Sequence, residues 1–346
     1  MGLAVEIAGL KKSYAVEKSF FSRRATFQAL SDVDLQIRQG EIFGLVGRNG
    51  YGKTTLIRCV AGLLSPSEGT IRVYGHDTVS DAQEVRKSIG WVGAEERSFY
   101  LRLTGRQNLM FFSRLQGISD HLAATRIEQL ADQLECRPLL GRRVHELSTG
   151  NRQRLSIIRG LLHQPRMLIL DEPTRSLDPF AADDLRAVLT SWVGQDRTRS
   201  ILITSHLLFE IEAMSTRIAI MGKGRLGASG TLTELRQQFG GGQSVQIVVQ
   251  GPVSRDALSV LQQSGIKLSP SDPTLVASTD TVLTFERMPR DDLLSKALSQ
   301  IERLGFIVER MSVTELSLQE MIDRLTRDSE DTRAISEGGA VTEVGQ

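Results

Sequence analysis

The stretch from Gly47 to Thr55, GRNGYGKTT, follows directly on the apolar run EIFGLV and limits more than any other feature what this chain can become. Gly47, Gly50 and Gly52 permit a tight turn whose N–H groups approach phosphate oxygens, where side chains would stand in the way. Between the first and last of these glycines lie Arg48, Asn49, Gly50 and Tyr51, and Lys53, Thr54 and Thr55 follow at once. At this spacing Lys53 reaches the β- and γ-phosphates of a nucleotide and the Thr54 hydroxyl serves Mg²⁺. A helix starting near Lys53 would add the positive end of its dipole. A mere glycine-rich surface turn explains neither the preceding strand nor the following helix.

Downstream, MLILDEP from Met167 to Pro173 is an apolar run too short for most helices and reads as a buried parallel strand. Open α/β sheets bind ligands at the carboxyl ends of their strands, so Asp171 is expected to face the same crevice as the loop at Gly47. There Asp171 suits a divalent metal, and Glu172 suits orienting or deprotonating an attacking water. The alternative, that the two acids begin a solvated turn, accounts for neither the strand nor the phosphate loop.

Between these stretches lies ELSTGNRQRLSIIRGLL, with Ser148 as a helix cap, Gly150 allowing close backbone approach and apolar residues at helical spacing beyond. With it the motifs resemble those of ABC transporter ATPase subunits, in that family's order over roughly residues 3–235. Leu147, Ser148, Thr149, Gly150 and Asn151 match the signature loop, with Thr149 and Asn151 differing from the usual residues. Tyr14 stands at the adenine-stacking position, Arg175, Ser176, Leu177 and Asp178 at the dimer-contact loop, and Thr204, Ser205 and His206 at the switch histidine. Tyr51 stands where the family usually has a small residue. A Gln usual in the family is missing from IGWVGAEERSFYLRLT, where Ala94, Glu95 and Glu96 are offered instead, and Glu95 is a further candidate for the metal.

The resemblance implies an α/β P-loop ABC ATPase domain over 1–236 with a helical subdomain at about 95–165. It implies ATP and Mg²⁺ as ligands, catalysis by Glu172 and His206, and a second ATPase subunit, the same chain or a paralogue, whose signature completes each site. It also implies membrane permease subunits as partners. The aromatic and charged stretch from Arg97 to Gly117, with Phe99 and Tyr100, is the candidate docking surface for them. A polar and aromatic stretch from Glu17 to Thr26 reads as a long loop.

Composition fits a soluble, peripheral protein, and the resemblance implies a place on the cytoplasmic face of a membrane through the permease. A formal net charge of +1 over 346 residues gives no reason to expect nucleic acid as a partner. No run approaches the ~18 apolar residues of a membrane span, and the N-terminal stretch lacks the pattern of a secretory leader. Cys59 and Cys136 are too few for a disulfide framework and suit the reducing cytosol, with Cys59 as simple packing.

After a Gly-rich linker at 237–243 the pattern changes. SVQIVVQ alternates as a strand, RDALSVLQQSG has helical spacing, LVAS and TVLTFER suggest a hairpin around Thr279 and Asp280, DDLLSKALSQIERLG is a helix and FIVERMSV a strand. That order is that of a small α+β ferredoxin-like domain over 244–326, closed by a short helix, with a disordered tail at 327–346. The C-terminal resemblance favours an exporter over an importer. A soluble ABC ATPase of DNA repair, chromosome organisation or translation is the alternative, but no coiled-coil insertion, zinc-type cysteine set or second cassette supports it. A nucleotide-binding module without hydrolysis is disfavoured by Glu172 and His206.

Overall fold

A computed structural model describes residues 2–16, 25–93, 98–175, 177–239, 241–263, 266, 274–275, 280–287 and 291–326. The chain divides into two compact units, 1–231 and 232–346. Glu95, Ser176, most of the Glu17 to Thr26 stretch, the expected hairpin residues 276–279 and the expected tail 327–346 lie outside the described residues.

The first unit runs β1 (Leu3–Val16), β2 (Ala25–Arg38), β3 (Ile42–Gly47), α1 (Lys53–Val60), β4 (Glu68–Val73), β5 (His76–Asp77), α2 (Ala82–Ser88) and β6 (Ile89–Val92). Three helices follow, α3 (Gly105–Leu115), α4 (Asp120–Gln133) and α5 (Thr149–Leu161). The chain then returns through β7 (Met167–Asp171), α6 (Pro179–Gly194), β8 (Ser200–Thr204), α7 (Leu208–Met214), β9 (Arg217–Gly222) and β10 (Arg225–Gly230).

Six strands form one sheet in the order β10-β9-β3-β8-β7-β6, parallel throughout except for the edge strand β10. Its central members are mostly apolar, as strands covered on both faces must be, with every residue of β8 buried and β7 buried up to Asp171. Register aligns Asp171 with Thr204 and Leu45 with Thr204, so the carboxyl ends of β3, β7 and β8 open at one edge. An antiparallel sheet, β2-β1-β4-β5, supplies the long β1–β2 pair. Val5, Ile7 and Leu35 from it share a core with Phe43, Leu45 and Leu56.

Sequence explains the helical insertion well. Thr104 and Gln107 close a capping box at the start of α3, and Arg114 holds Asp120 by two bonds of 2.8 and 2.7 Å, joining the end of α3 to the start of α4. Asn108, fully buried, accepts from the Tyr100 N–H at 2.8 Å and donates to the Tyr100 and Thr104 carbonyls at 3.0 Å, fixing the turn ahead of α3. That turn sends Phe99 inward, against Phe112 and the Arg159 guanidinium, and leaves Tyr100 exposed. Phe99 is therefore a core residue and not part of a docking surface.

In the second unit come α8 (Leu232–Gln238), β11 (Gln243–Val249), α9 (Arg255–Gln263), β12 (Thr274–Leu275), β13 (Thr281–Arg287), α10 (Leu293–Arg303) and β14 (Val308–Glu315), then a helix at 318–326. The division after Thr231 groups α8 with this unit, whereas the sequence reading ran the first domain to 236. Arg236 ties α8 to this unit, its Nε donating to the Leu316 carbonyl at 3.1 Å and its guanidinium pairing with Glu315. The sheet order is β12-β13-β11-β14 with every neighbour antiparallel. Alternate residues Val245, Ile247 and Val249 of β11 meet Leu261 of α9 and Ala297 and Ile301 of α10 in one core.

Candidate active site

The loop between β3 and α1 is held open by backbone geometry that side chains would forbid. Gly52 has φ +98°, and a Cβ there would lie 2.7 Å from the Ala29 carbonyl oxygen; at Gly47, φ +147°, it would lie 2.5 Å from that of Met221. Tyr51, half-buried, accepts at its carbonyl from the Gly224 N–H at 3.1 Å, so the loop rests on the β9–β10 turn. Lys53 begins α1 and bends back over the loop, its Nζ donating to the Gly47 carbonyl at 2.6 Å and the Arg48 carbonyl at 3.3 Å. Burial pushes the Lys53 ammonium below its ordinary pKa, and the Glu172 and Asp171 carboxylates oppose that fall.

These groups open onto a cleft of about 320 Å³. The loop contributes Asn49, Gly50 and Gly52 to it, the start of α1 Lys53, Thr54 and Thr55, and the end of β7 Asp171 with Glu172 just beyond. Tyr14 lines it too, together with Phe27 and Ala29 of β2. The signature residues Leu147 to Asn151 do not line this cleft. They form the start of α5, where Ser148 caps the helix by accepting from the Asn151 N–H at 3.2 Å.

Strand ends fix the acids. Asp171 accepts from the Thr204 hydroxyl at 2.6 Å across the β7–β8 pair. Glu172 takes φ +50°, a left-handed conformation costing a non-glycine residue about 1–3 kcal/mol, and its N–H donates to the Thr204 carbonyl at 2.9 Å. This turn brings its Oε2 to 3.2 Å from His206 Nδ1 and 3.9 Å from an Arg175 guanidinium nitrogen. Beyond Arg175, Leu177 donates its N–H to the Thr174 carbonyl, and Asp178 caps α6. The Ala181 N–H, bonded to it at 3.0 Å, holds the Asp178 carboxyl below the usual carboxylate range.

Two residues that motif spacing does not reveal organise this region. Glu210 of α7 is 1% exposed, and its Oε2 accepts from the Thr174 hydroxyl at 2.6 Å and the Ser205 hydroxyl at 3.2 Å. It therefore ties the loop after Glu172 to the turn carrying His206. Phe27, opposite Tyr14 in the β1–β2 register, places a second ring at the cleft, a placement readable from strand alternation had the register been known. Cys59 is buried in the core, and burial pushes its thiol up to about 11, consistent with packing.

A second cleft of the first unit, about 300 Å³, is lined by Leu63, Arg86, Trp91, Phe112, Arg159 and His163. Burial pushes the His163 imidazole down, against a bond from its Nε2 to the Ile89 carbonyl at 2.9 Å.

Known proteins resemble this chain in sequence and fold. The ABC transporter family matches residues 30–175. The bacitracin transport ATP-binding protein BcrA of Bacillus licheniformis is 35% identical over 227 residues, 65% of this chain and 69% of that protein. The daunorubicin resistance ATP-binding protein DrrA3 of Streptomyces coeruleorubidus is 31% identical over 325 residues, 94% of this chain and 96% of its own length.

The chain belongs to the ABC transporter family, as an ATP-binding subunit.

It is an ATPase of the P-loop fold. A solved ATP-binding subunit of an ABC transporter superposes with a TM-score of 0.61 at 26% identity, covering 68% of this chain and 93% of that one. An alignment spanning 325 of 346 residues necessarily runs into the second unit, so the likeness to DrrA3 extends beyond the first. Among the described residues, no helix is long and apolar enough to cross a membrane.

Proposed function

We propose that this ATPase drives an exporter from the cytoplasmic face of a membrane. Two copies, or this chain and a paralogue, close on ATP so that each phosphate loop meets the other's Leu147 to Asn151 signature. Hydrolysis reopens the pair, and separate permease subunits receive the motion. The direction of transport is supported by relatives named for bacitracin transport and daunorubicin resistance.

In this reading Tyr14 stacks on adenine, Lys53 contacts the β- and γ-phosphates, and Thr54 with Asp171 holds Mg²⁺. That pair fits the ion, which favours one or two carboxylates beside phosphate oxygens and water, and both residues line the cleft. Bound there, Mg²⁺ would neutralise phosphate charge. Glu172 accepts a proton from water as the water oxygen bonds to the γ-phosphorus and the bond to the ADP oxygen breaks. His206 holds Glu172 in position for that transfer. The observation that carries the assignment is the 3.2 Å pairing of Glu172 with His206, on a strained backbone turn beside Asp171 and the phosphate loop.

Permease docking is assigned to the cleft lined by Leu63, Trp91 and Phe112, whose apolar lining and exposed Arg86 suit a short amphipathic segment bearing an acid. We assign the second unit to the ferredoxin-like class, which its β-α-β-β-α-β order and wholly antiparallel sheet support.

The test is Glu172→Gln. It should keep ATP affinity while hydrolysis falls about 10²- to 10⁴-fold, the usual contribution of a positioned general base. With Mg-ATP the variant should accumulate as a dimer in light scattering. Normal turnover by a monomeric variant would overturn the proposal.

A further inference from the structure

We propose that Phe27 is a second base-binding residue, which with Tyr14 forms a two-ring platform for the purine of the nucleotide; this rests on the nucleotide reading above. Tyr14 and Phe27 are direct register partners in the antiparallel β1–β2 pair, so their side chains rise from the same sheet face with Cβ atoms about 4.5–5.5 Å apart. Both line the cleft that holds Lys53, Thr54, Asp171 and Glu172. Tyr14 is 38% exposed and Phe27 55%, so both rings stand open at its mouth.

The position along β2 is the informative part. Ala29, the extra residue where the β1–β2 register shifts, lines the same cleft, and its carbonyl lies against Gly52, where a Cβ would come within 2.7 Å. Phe27, two residues before Ala29 on β2, therefore stands farther from the phosphate loop along the strand. A triphosphate anchored at Lys53 must extend past Ala29 through its α-phosphate and ribose before its base reaches an aromatic surface. Tyr14 alone offers one ring there, and the Lys12 ammonium already sits 5.4 Å from that ring's centre. A fused purine is broad enough to cover both rings, and a single-ring pyrimidine covers less, so the platform favours purine nucleotides through contact area.

Base–aromatic stacking sets the expected size. Removing one such ring weakens binding about five- to hundredfold. The experiment compares ATP, UTP and inorganic tripolyphosphate on the full chain by calorimetry. Phe27→Ala should weaken ATP by about that factor, lower the ratio of ATP to UTP affinity and leave tripolyphosphate unchanged. Phe27→Trp should restore ATP. Unchanged ATP affinity in Phe27→Ala, or a parallel fall for tripolyphosphate, overturns the inference. Failure of the phosphate site itself reads out separately: the wild-type chain would then hold neither ATP nor tripolyphosphate, or Lys53→Ala would hold both normally, and the platform falls with it.

Discussion

Removing the Glu210 carboxyl should cost both stability and turnover, by amounts the structure lets one work out. Glu210, Thr174 and Ser205 are all buried, and both hydroxyls donate to Glu210 Oε2, at 2.6 and 3.2 Å. Glu210→Ala leaves two buried donors without their acceptor, at about 1–3 kcal/mol each. Relief of the desolvation of a buried acid, and water entering the vacated space, offset part of this, so a net loss of about 2–4 kcal/mol is expected. For a unit of this size that lowers the melting temperature by about 4–16 °C. Glu210→Gln keeps a carbonyl acceptor for one hydroxyl, and its NH₂ can donate to the other, so it should lose only about 1 kcal/mol.

The protein carries a convenient probe for this measurement. Its two tryptophans, Trp91 and Trp192, both lie in the first unit, so their fluorescence follows the unfolding of that unit alone. Below the transition, Glu210→Ala should lower kcat with little change in KM for ATP, because Lys53 and Thr54 are untouched while the turn bearing His206 loses its tether to Thr174. A loss under about 0.5 kcal/mol, the range of ordinary surface substitutions, would refute the reasoning. So would a Gln variant as damaged as the Ala variant, since packing and not hydrogen bonding would then be at stake.

Two further outcomes follow from the site and its surroundings. Burial holds the Lys53 pKa low, so in the nucleotide-free chain Lys53 releases its proton below the ordinary lysine range, and bound phosphate should reverse the shift. ATP affinity should thus fall as pH rises through the lowered pKa, and calorimetry across that fall in two buffers of different ionisation enthalpy should show proton uptake that Lys53→Ala abolishes. Leu63→Asp, at a position 58% exposed on the second cleft, should leave ATP binding by the isolated chain intact and reduce co-purification with the permease; full co-purification would move docking elsewhere.

What the sequence made legible depended on whether position alone determines the chemistry. The phosphate loop could be read because its glycines are demanded by local backbone geometry, and β7 because an apolar run ending in two acids has few other uses. Tertiary partners decide the rest. Phe99 and Tyr100 are adjacent aromatics in one stretch, and it is the buried amide of Asn108, eight residues past Tyr100, that turns the first inward and the second out. In α7 the hydropathy pattern even misleads, since it would bury Phe209 and expose Glu210, whereas Phe209 is 60% exposed and Glu210 1%. Helical spacing cannot foresee that inversion, because the groups awaiting Glu210 are hydroxyls brought there by β7 and β8 from 36 and 5 residues away. A buried acid beside an outward-facing aromatic conflicts with the local pattern, and such conflicts gather where an active site must hold several loops at once. Here the conflict lies four residues after His206, on the helix that steadies it.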